Sequence, residues 1–384
     1  MTLSTLQEDL ADLRDKSLLR SLRTLEPVDS VHARLNGREV TLFCGNDYLG
    51  LTHHPETVRA ARKALEKYGT GAGAARLISG SFGVHEALER EIARIKRKPK
   101  ALVFSAGYLA NLGTIAALAG EGDLVVLDKR CHASLIDAAR LSGAELRVFP
   151  HKNYEKCEAI LKRDGRAGKK LLITDSVFSM DGDLADLVAL ADLRDRYQSM
   201  LIVDDAHGTG VLGEKGWGAL EDFPRMDSVD VVTGTLSKAL GGLGGFAAAS
   251  ETVIDYLINK ARPFIFATAL PPACCASALK AIELLKTEPA LRTKLWKNAE
   301  TLHAGIQKAG FNLSPLTSPI LPVILGEEQR AVEVSQGLLD RGLLVPAVRY
   351  PTVAKGKARL RVTACAVHDD ASCDLLISSL SSLS

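Results

Sequence analysis

Short apolar runs rich in β-favouring residues alternate with segments of helix length between residues 84 and 250. This alternation is typical of strands that form a mainly parallel sheet covered by helices on both faces. The sequence therefore predicts an α/β fold whose large domain contains a mainly parallel seven-stranded sheet. The predicted strands are Ala101–Phe104, Leu124–Leu127, Leu146–Phe149, Leu171–Thr174, Leu201–Asp204, Val231–Thr233 and Phe246–Ala249.

The segment before this domain has two other patterns. Leucines recur at helical spacing from Leu3 onwards, which predicts an amphipathic helix that continues towards Leu25 and stops before Pro27. Further along, two apolar runs flank the dipeptide Asn36-Gly37. Both residues of this dipeptide tolerate positive φ, so the segment is predicted to form a β-hairpin.

The pattern changes again after Pro271-Pro272, where a helical stretch from about Ala273 to Ala309 leaves the sheet region. The remaining chain contains enough elements for a small α/β domain. We therefore predict an N-terminal helix and hairpin segment (1–45), a large domain (46–275), and a linking helix with a small C-terminal domain (276–384). The elements predicted in the tail are Pro322–Leu325 (strand), Ala331–Arg341 (helix), Leu343–Val348 (strand), Arg359–Thr363 (strand) and Asp369–Leu383 (helix).

Composition and charge exclude several classes of partner. The net charge is +2, with 48 basic and 46 acidic residues, so the chain lacks the basic footprint of proteins that bind nucleic acid or anionic membranes. The seven cysteines are odd in number and form no CxxC pair, which argues against a disulfide framework or a thiolate zinc site. The N-terminus lacks the pattern of a secretory signal, and no run of about 18 apolar residues occurs. We expect a cytoplasmic protein.

Two motifs follow predicted strands, VDDAHGTG at 203–210 and GTLSKALGG at 234–242. Strand ends are where α/β sheets bind ligands, so Asp204, His207 and Lys238 are candidate site residues. Lys238 lies among small residues, where its amine could approach a planar ring and form a Schiff base with a carbonyl. Asp204 would need a cationic or hydrogen-bonding partner if buried, and a pyridinium nitrogen is one such partner.

Each of these assignments has a less specific alternative. A lone lysine is usually a solvated surface cation, and Asp204, Asp205 and His207 could instead bind a metal ion, although no second group of suitable spacing supports this. His132 follows a predicted strand and precedes a helix, so it could stack on a flat cofactor, donate a proton, or merely cap that helix.

Two further loops could approach a ligand. The stretch 69–76 contains three glycines, so a ligand or another chain could contact its backbone closely, although it could also be a flexible linker. Gly107 and Tyr108 follow the first predicted strand and open a helix, whose backbone N–H groups could hold a phosphate. Most turns of this kind bind nothing.

Taken together, the chain resembles the α-oxoamine synthase family of fold type I pyridoxal-phosphate (PLP) enzymes, which condense an amino acid with an acyl-CoA. The resemblance spans nearly the whole chain. It rests on eight motifs in order: NDYLGL (46–51), GTGAGAARLISG (69–80), HEALEREIA (85–93), CHASLIDAA (131–139), VFSMDGD (177–183), VDDAHGTG, GTLSKALGG and ARLRVTACAVH (358–368).

The resemblance implies a role for each matching residue in a homodimer with active sites at the subunit interface. Lys238 would hold PLP as a Schiff base and act as general base, and Asp204 would pair with the pyridine nitrogen. His132 would stack on the ring and take part in catalysis. The remaining implied contacts are His207 and Ser179 to the ring hydroxyl; Gly107, Tyr108 and Thr235 to the phosphate, with Thr268 from the partner subunit; Asn46 and Arg361 to the amino-acid carboxylate; and Arg20 and Thr352 to the acyl side.

The same resemblance leaves three hypotheses about substrate and function. The segment 349–353 favours the family member that joins L-alanine to pimeloyl-CoA, or to the same acyl group on a carrier protein. TGTLSKALGG resembles at least as much the members that use glycine with acetyl-CoA or succinyl-CoA. A non-catalytic protein that only binds PLP is the third alternative, and the intact set of Lys238, Asp204, His207 and His132 speaks against it.

Overall fold

A computed structural model describes residues 3–165 and 168–383. The helices are α1 (Leu3–Asp15), α2 (Pro55–Tyr68), α3 (Gly83–Ile95), α4 (Gly107–Leu118), α5 (Ala133–Ser142), α6 (Tyr154–Arg163), α7 (Leu187–Tyr197), α8 (Glu251–Lys260), α9 (Arg262–Ile265), α10 (Pro272–Thr287), α11 (Ala290–Lys308), α12 (Glu328–Leu339) and α13 (Asp370–Leu383). Within the described ranges, no helix has the length and apolar character needed to cross a membrane.

The strands are β1 (Leu25–Pro27), β2 (His32–Leu35), β3 (Arg38–Leu42), β4 (Lys100–Phe104), β5 (Leu124–Asp128), β6 (Glu145–Phe149), β7 (Lys170–Asp175), β8 (Met200–Asp204), β9 (Val231–Thr235), β10 (Gly245–Ala249), β11 (Ile320–Gly326), β12 (Leu343–Leu344), β13 (Ala347–Val348) and β14 (Ala358–Thr363). The described residues form two compact units. The central unit comprises Leu49–Ser179 and Asp183–Arg292, and the terminal unit comprises the described parts of Met1–Tyr48, Met180–Gly182 and Thr293–Ser384. The predicted boundaries after residues 45 and 275 stay predictions.

The central unit contains a seven-stranded sheet with the order β4-β10-β9-β8-β7-β5-β6, and all seven predicted strands are confirmed. Strands β9, β8, β7, β5 and β6 pair in parallel, whereas β10 is antiparallel to both β4 and β9. The chain between β9 and β10 contains no helix. A short connection without a crossover helix joins antiparallel neighbours, which explains the reversed strand.

Both faces of this sheet are covered, as predicted. In β5, Val125 and Leu127 pack in one buried cluster with residues of α4, α5 and α8, whereas Leu124 and Val126 pack in another with residues of α6 and α7. Successive strand residues point to opposite faces, so strands covered on both faces read as continuous apolar runs. Because the parallel strands run in the same direction, their carboxyl ends lie at one edge of the sheet. The turns that follow these ends carry the candidate site residues.

The terminal unit contains two small sheets, with the orders β1-β2-β3-β12 and β11-β14-β13. The predicted hairpin is confirmed, because Asn36 and Gly37 join β2 to β3 with φ values of 52° and 78°. This is the backbone that a two-residue hairpin turn requires. The strands and helices predicted for the tail are present, except that the predicted strand Leu343–Val348 is divided into two.

Three predicted elements are wrong in extent. The first helix ends at Asp15 instead of continuing towards Leu25, because Ser17 takes a positive φ of 54° and Leu25–Pro27 is strand β1. The stretch Ala273 to Ala309 is two helices, since Pro289 disfavours helical backbone at the residue before it. Leu343–Val348 is two strands in different sheets, separated at Pro346, which has no N–H to donate.

Candidate active site

Lys238 and His207 meet at the edge of the central sheet where the parallel strands end. His207 lies in the turn after β8, and Lys238 lies in the turn after the neighbouring strand β9. Lys238 Nζ is 2.7 Å from His207 Nε2, within hydrogen-bonding distance. His207 is 5% exposed and Lys238 is half-buried. The two predicted residues therefore form one contact between a reactive amine and an imidazole.

Asp204 is the last residue of β8 and is 5% exposed. Its Oδ2 accepts a hydrogen bond from Asn111 Nδ2 at 2.7 Å, and its Oδ1 accepts one from Ala206 N at 2.9 Å. Asn111 lies on α4, where sequence reasoning missed it, because a buried polar residue on a helix gives no motif. A buried carboxylate held by neutral donors suits a ligand that brings its own positive charge.

His132 is the N-cap residue of α5, as one of the alternatives proposed, and its Nδ1 lies 2.7 Å from Ser134 Oγ. Its backbone N donates to Asp175 Oδ2 at 2.9 Å. Burial lowers the pKa of His132, and the nearby carboxylate of Asp204 opposes this effect without reversing it. The imidazole is thus neutral near pH ~7, which suits a ring that stacks on a flat ligand.

Asp175 is a second buried carboxyl beside Asp204. It ends β7 directly opposite Asp204 in the parallel register of the two strands. Burial raises the pKa of Asp175, and the negative charge of Asp204 raises it further. Ionisation of Asp175 is therefore disfavoured by both its burial and its neighbour. The signal that could have found Asp175 is its position at a strand end, the same signal that identified Asp204.

The three residues predicted to hold a phosphate lie together at the start of α4. Gly107 is the first residue of α4, followed by Tyr108. A Cβ added to Gly107 would lie 3.0 Å from Thr235 Cβ and 3.1 Å from Thr235 Oγ1, so only glycine fits this approach without displacing Thr235. The first N–H groups of a helix have no partner within the helix, and they bind anions well.

This set of groups fits PLP. The Lys238 amine can bind a carbonyl, the buried Asp204 carboxylate can hold a protonated pyridine nitrogen, and the first N–H groups of α4, close to Thr235, can bind a phosphate. Among the residues that the structure describes, no group of three histidine, cysteine or acidic side chains could hold a metal ion.

Two other predicted residues, Ser179 and Thr268, belong to the central unit. Ser179 is half-buried, four residues after the end of β7. Thr268 is exposed and forms an isolated β-bridge with Ala75 of the stretch 69–76. That stretch is anchored rather than a free linker, because Arg76 also makes two hydrogen bonds to the carboxylate of Glu89, at 2.8 and 3.0 Å.

The four candidate substrate residues lie in the terminal unit, where the structure brings them together in two pairs. Arg20 Nη2 donates to Thr352 Oγ1 at 3.1 Å. Arg361 is 8% exposed and its Nη2 donates to the hydroxyl of Tyr48 at 3.3 Å. The hydroxyl of Tyr48 in turn donates to Asn46 Oδ1 at 3.2 Å. Tyr48, which sequence reasoning left without a role, therefore connects the two residues assigned to the carboxylate.

His151 lies between two aspartates in the central unit, and no sequence signal indicated its role. Its Nδ1 is 3.0 Å from Asp128 Oδ1, and its Nε2 is 2.9 Å from Asp183 Oδ2. Burial lowers its pKa, but the hydrogen bonds and charges of the two carboxylates outweigh this and raise the pKa to about 9. Asp128 lies four residues before His132, and Asp183 lies four residues after Ser179. His151 therefore connects two chain segments, each of which lies next to a candidate site residue.

We expect His151→Gln to destabilise the chain at neutral pH and to have little effect at high pH. The pKa of His151 is raised from about 6.5 in the unfolded chain to about 9 in the folded chain. Its contribution is therefore fully present below pH ~6.5 and is lost as the pH rises through about 9. We expect about 1 to 3 kcal/mol at pH ~6.5 from this shift, since the side chain is only partly buried.

Chemical denaturation of wild-type protein and His151→Gln between pH ~6 and ~10 measures this difference in unfolding free energy. The control is His53→Gln, because it removes an exposed histidine elsewhere in the central unit. A difference that stays constant across this pH range would contradict the ion pair.

Comparisons with known proteins agree with this geometry. The chain matches the family of class I and II aminotransferases over residues 38–380. It is 45% identical over 374 residues to the 8-amino-7-oxononanoate synthase of Geobacter sulfurreducens, covering 97% of this chain and 96% of that protein. A solved structure of SPT (serine palmitoyltransferase) with a PLP internal aldimine is 32% identical, with a TM-score of 0.94, over 100% of this chain and 98% of that chain. A crystal structure of 8-amino-7-oxononanoate synthase from Francisella tularensis is 29% identical, with a TM-score of 0.77, over 89% of this chain and 97% of that chain. The fold type I prediction is confirmed.

Proposed function

Because this chain belongs to the family of class I and II aminotransferases, we propose that it condenses L-alanine with pimeloyl-CoA, or with the pimeloyl group on a carrier protein, in biotin biosynthesis. The products are 8-amino-7-oxononanoate, the free thiol of the carrier and carbon dioxide. The observation that carries the proposal is the contact of Lys238 Nζ with His207 Nε2 at 2.7 Å beside buried Asp204. This contact occurs in a chain that is 45% identical to the 8-amino-7-oxononanoate synthase of Geobacter sulfurreducens.

PLP is the cofactor, and when bound it supplies an electron sink for the negative charge that forms on the substrate Cα. Lys238 Nζ is the atom that would hold PLP, through its carbonyl carbon. The same Nζ would take the proton from the substrate Cα, and it would return a proton after carbon dioxide has left. His207 Nε2, 2.7 Å away, orients this amine.

The other residues of the central unit hold the reacting groups in place. Asp204 would keep the pyridine nitrogen protonated, and the hydrogen bonds from Asn111 and Ala206 fix its carboxylate. The neutral ring of His132 would cover the flat face of the ligand and exclude water from it. Ser179 and His207 would contact the ring hydroxyl. Gly107, Tyr108 and Thr235 would hold the phosphate at the helix N-terminus.

In the terminal unit, Arg361 is the residue that binds the substrate carboxylate, with Asn46 beside it. A guanidinium can bind both oxygens of a carboxylate at once, which fixes the direction of the Cα–H bond as well as the charge. The hydroxyl of Tyr48 supports this arrangement, since it accepts from Arg361 and donates to Asn46. Arg20 and Thr352 are proposed for the acyl side.

We also propose a homodimer, in which Thr268 of each subunit contacts the phosphate of the other, and a cytoplasmic location. The cysteine pattern supports the location, because the seven cysteines are odd in number and form no CxxC pair, and disulfides form mainly in oxidising compartments. Analytical ultracentrifugation of the holoprotein tests the dimer, and a monomer at micromolar concentration would contradict it.

Release of the CoA thiol by the holoprotein tests the choice of substrates. We expect the highest kcat/KM with L-alanine and pimeloyl-CoA, and a value about 10- to 200-fold lower with glycine, because the pocket for one methyl group would be left empty. The control pairs are glycine with acetyl-CoA or succinyl-CoA, and L-serine with palmitoyl-CoA. A higher rate with any control pair would contradict the proposed substrates while leaving the cofactor assignment intact.

A further inference from the structure

A fully buried ion pair lies beneath the turn that carries His207. Lys96 follows α3, and its Nζ donates to Asp205 Oδ2 at 2.8 Å; both side chains are 0% exposed. The ammonium makes two further hydrogen bonds, to Thr209 Oγ1 at 2.7 Å and to the carbonyl oxygen of Trp217. All three of its protons therefore have acceptors, as a buried ammonium requires.

Asp205 uses its side chain and its backbone to hold this turn. Its Oδ1 accepts from Ser176 Oγ at 2.7 Å and from Ala219 N at 3.2 Å. Its carbonyl oxygen accepts from Gly208 N at 3.2 Å and from Thr209 N at 3.0 Å, which closes the turn around His207. Asp205 therefore anchors both the buried ion pair, through its side chain, and the turn that carries His207, through its backbone.

The surrounding backbone packs closely against this carboxylate. A Cβ added to Gly208 would lie 2.1 Å from Asp205 Oδ1, and one added to Gly218 would lie 1.8 Å from Asp205 Oδ2. Two glycines therefore enclose the ion pair. Because the packing around Asp205 is tight, its side chain has no free space for a new rotamer. Loss of the Lys96 charge would therefore move the carboxylate together with the turn.

We propose that Lys96 is a positioning residue, which acts through Asp205 to hold His207 Nε2 within hydrogen-bonding distance of Lys238 Nζ. Its effect on catalysis rests on the proposed function, in which Lys238 binds PLP and His207 contacts the ring hydroxyl. A hydrogen bond to a titrating group shifts its pKa, so a displaced His207 changes the protonation of the nitrogen that joins Lys238 to the cofactor. A misplaced group near the reaction also lowers kcat more than it changes KM.

Spectrophotometric pH titration of the cofactor absorption in wild-type and Lys96→Met holoprotein tests the proposal. We expect the midpoint to move by about half a pH unit or more. We also expect kcat for CoA release to fall about ten- to hundredfold, with KM within about twofold of wild type. Thr209→Val removes one hydrogen bond of Lys96 while keeping its charge. It should move the midpoint in the same direction by less, and it carries the test if Lys96→Met does not fold.

Leu88→Ala is the matched control, because Leu88 is fully buried on the same helix and lies outside the site. It should lower the unfolding midpoint without moving the absorption midpoint or kcat. If Lys96→Met and Thr209→Val titrate like wild type, Lys96 only stabilises the fold and the proposal is overturned. If wild-type protein has no cofactor absorption to titrate, the proposed function fails instead, so the two failures are distinguishable.

Discussion

Lys238→Ala is expected to remove the visible absorption of the bound cofactor and to lower the rate of CoA release by about 10⁴-fold or more. The lysine has two roles in the proposed reaction, since its amine both binds the cofactor and moves the Cα proton. In other enzymes, removal of one residue from a group that acts together in catalysis lowers the rate by a factor of this size. Absorption spectra and CoA-thiol release, measured on protein with and without added PLP, check both parts.

Two variants control this result. Lys162→Ala removes an exposed lysine on α6 and should leave spectrum and rate unchanged. Lys238→Arg keeps the positive charge but cannot bind a carbonyl in the same way, so it should behave like the alanine variant. Retention of the coloured species in Lys238→Ala after dialysis would mean that another amine binds the cofactor, and the assignment of Lys238 would then be wrong.

The central sheet could be predicted because its strands carry their own signal. Leu124–Asp128 is buried at all five positions, and its first four residues are apolar, so both faces of the strand carry the apolar signal. The direction of a strand is not encoded in this way, since an apolar run has the same pattern in both directions. The reversal of β10 follows from its connection to β9 and its pairing with β4, which are tertiary features.

The site could be predicted in part for a related reason. Asp204, His207 and Lys238 follow predicted strands within short motifs, so local sequence is enough to find them. Asn111 and Lys96 act through partners that are 93 and 109 residues away in the chain. A single polar residue on or after a helix is usually solvated, and only the folded structure gives its partner. Residues that support the first contacts of a site are therefore the ones that sequence patterns miss.

Asp204→Asn is expected to lower kcat/KM by about 10²- to 10⁴-fold, equivalent to about 3 to 5 kcal/mol of lost transition-state stabilisation. The amide has the size of the carboxylate but no charge, so it cannot keep the pyridine nitrogen protonated. Asp192→Asn is the control, because Asp192 forms an exposed ion pair with Arg225 at the surface. Such pairs contribute about 1 kcal/mol or less.

The electrostatic consequences of Asp204→Asn provide an independent check by NMR. The negative charge of Asp204 raises the pKa of Asp175 and also raises that of His132. Its removal should therefore lower both pKa values, which makes Asp175 easier to ionise and His132 harder to protonate. If activity fell and neither pKa moved, the loss could not be attributed to the charge at residue 204. Activity would then depend on the hydrogen bond from Asn111, and Asn111→Ala should reproduce the full loss.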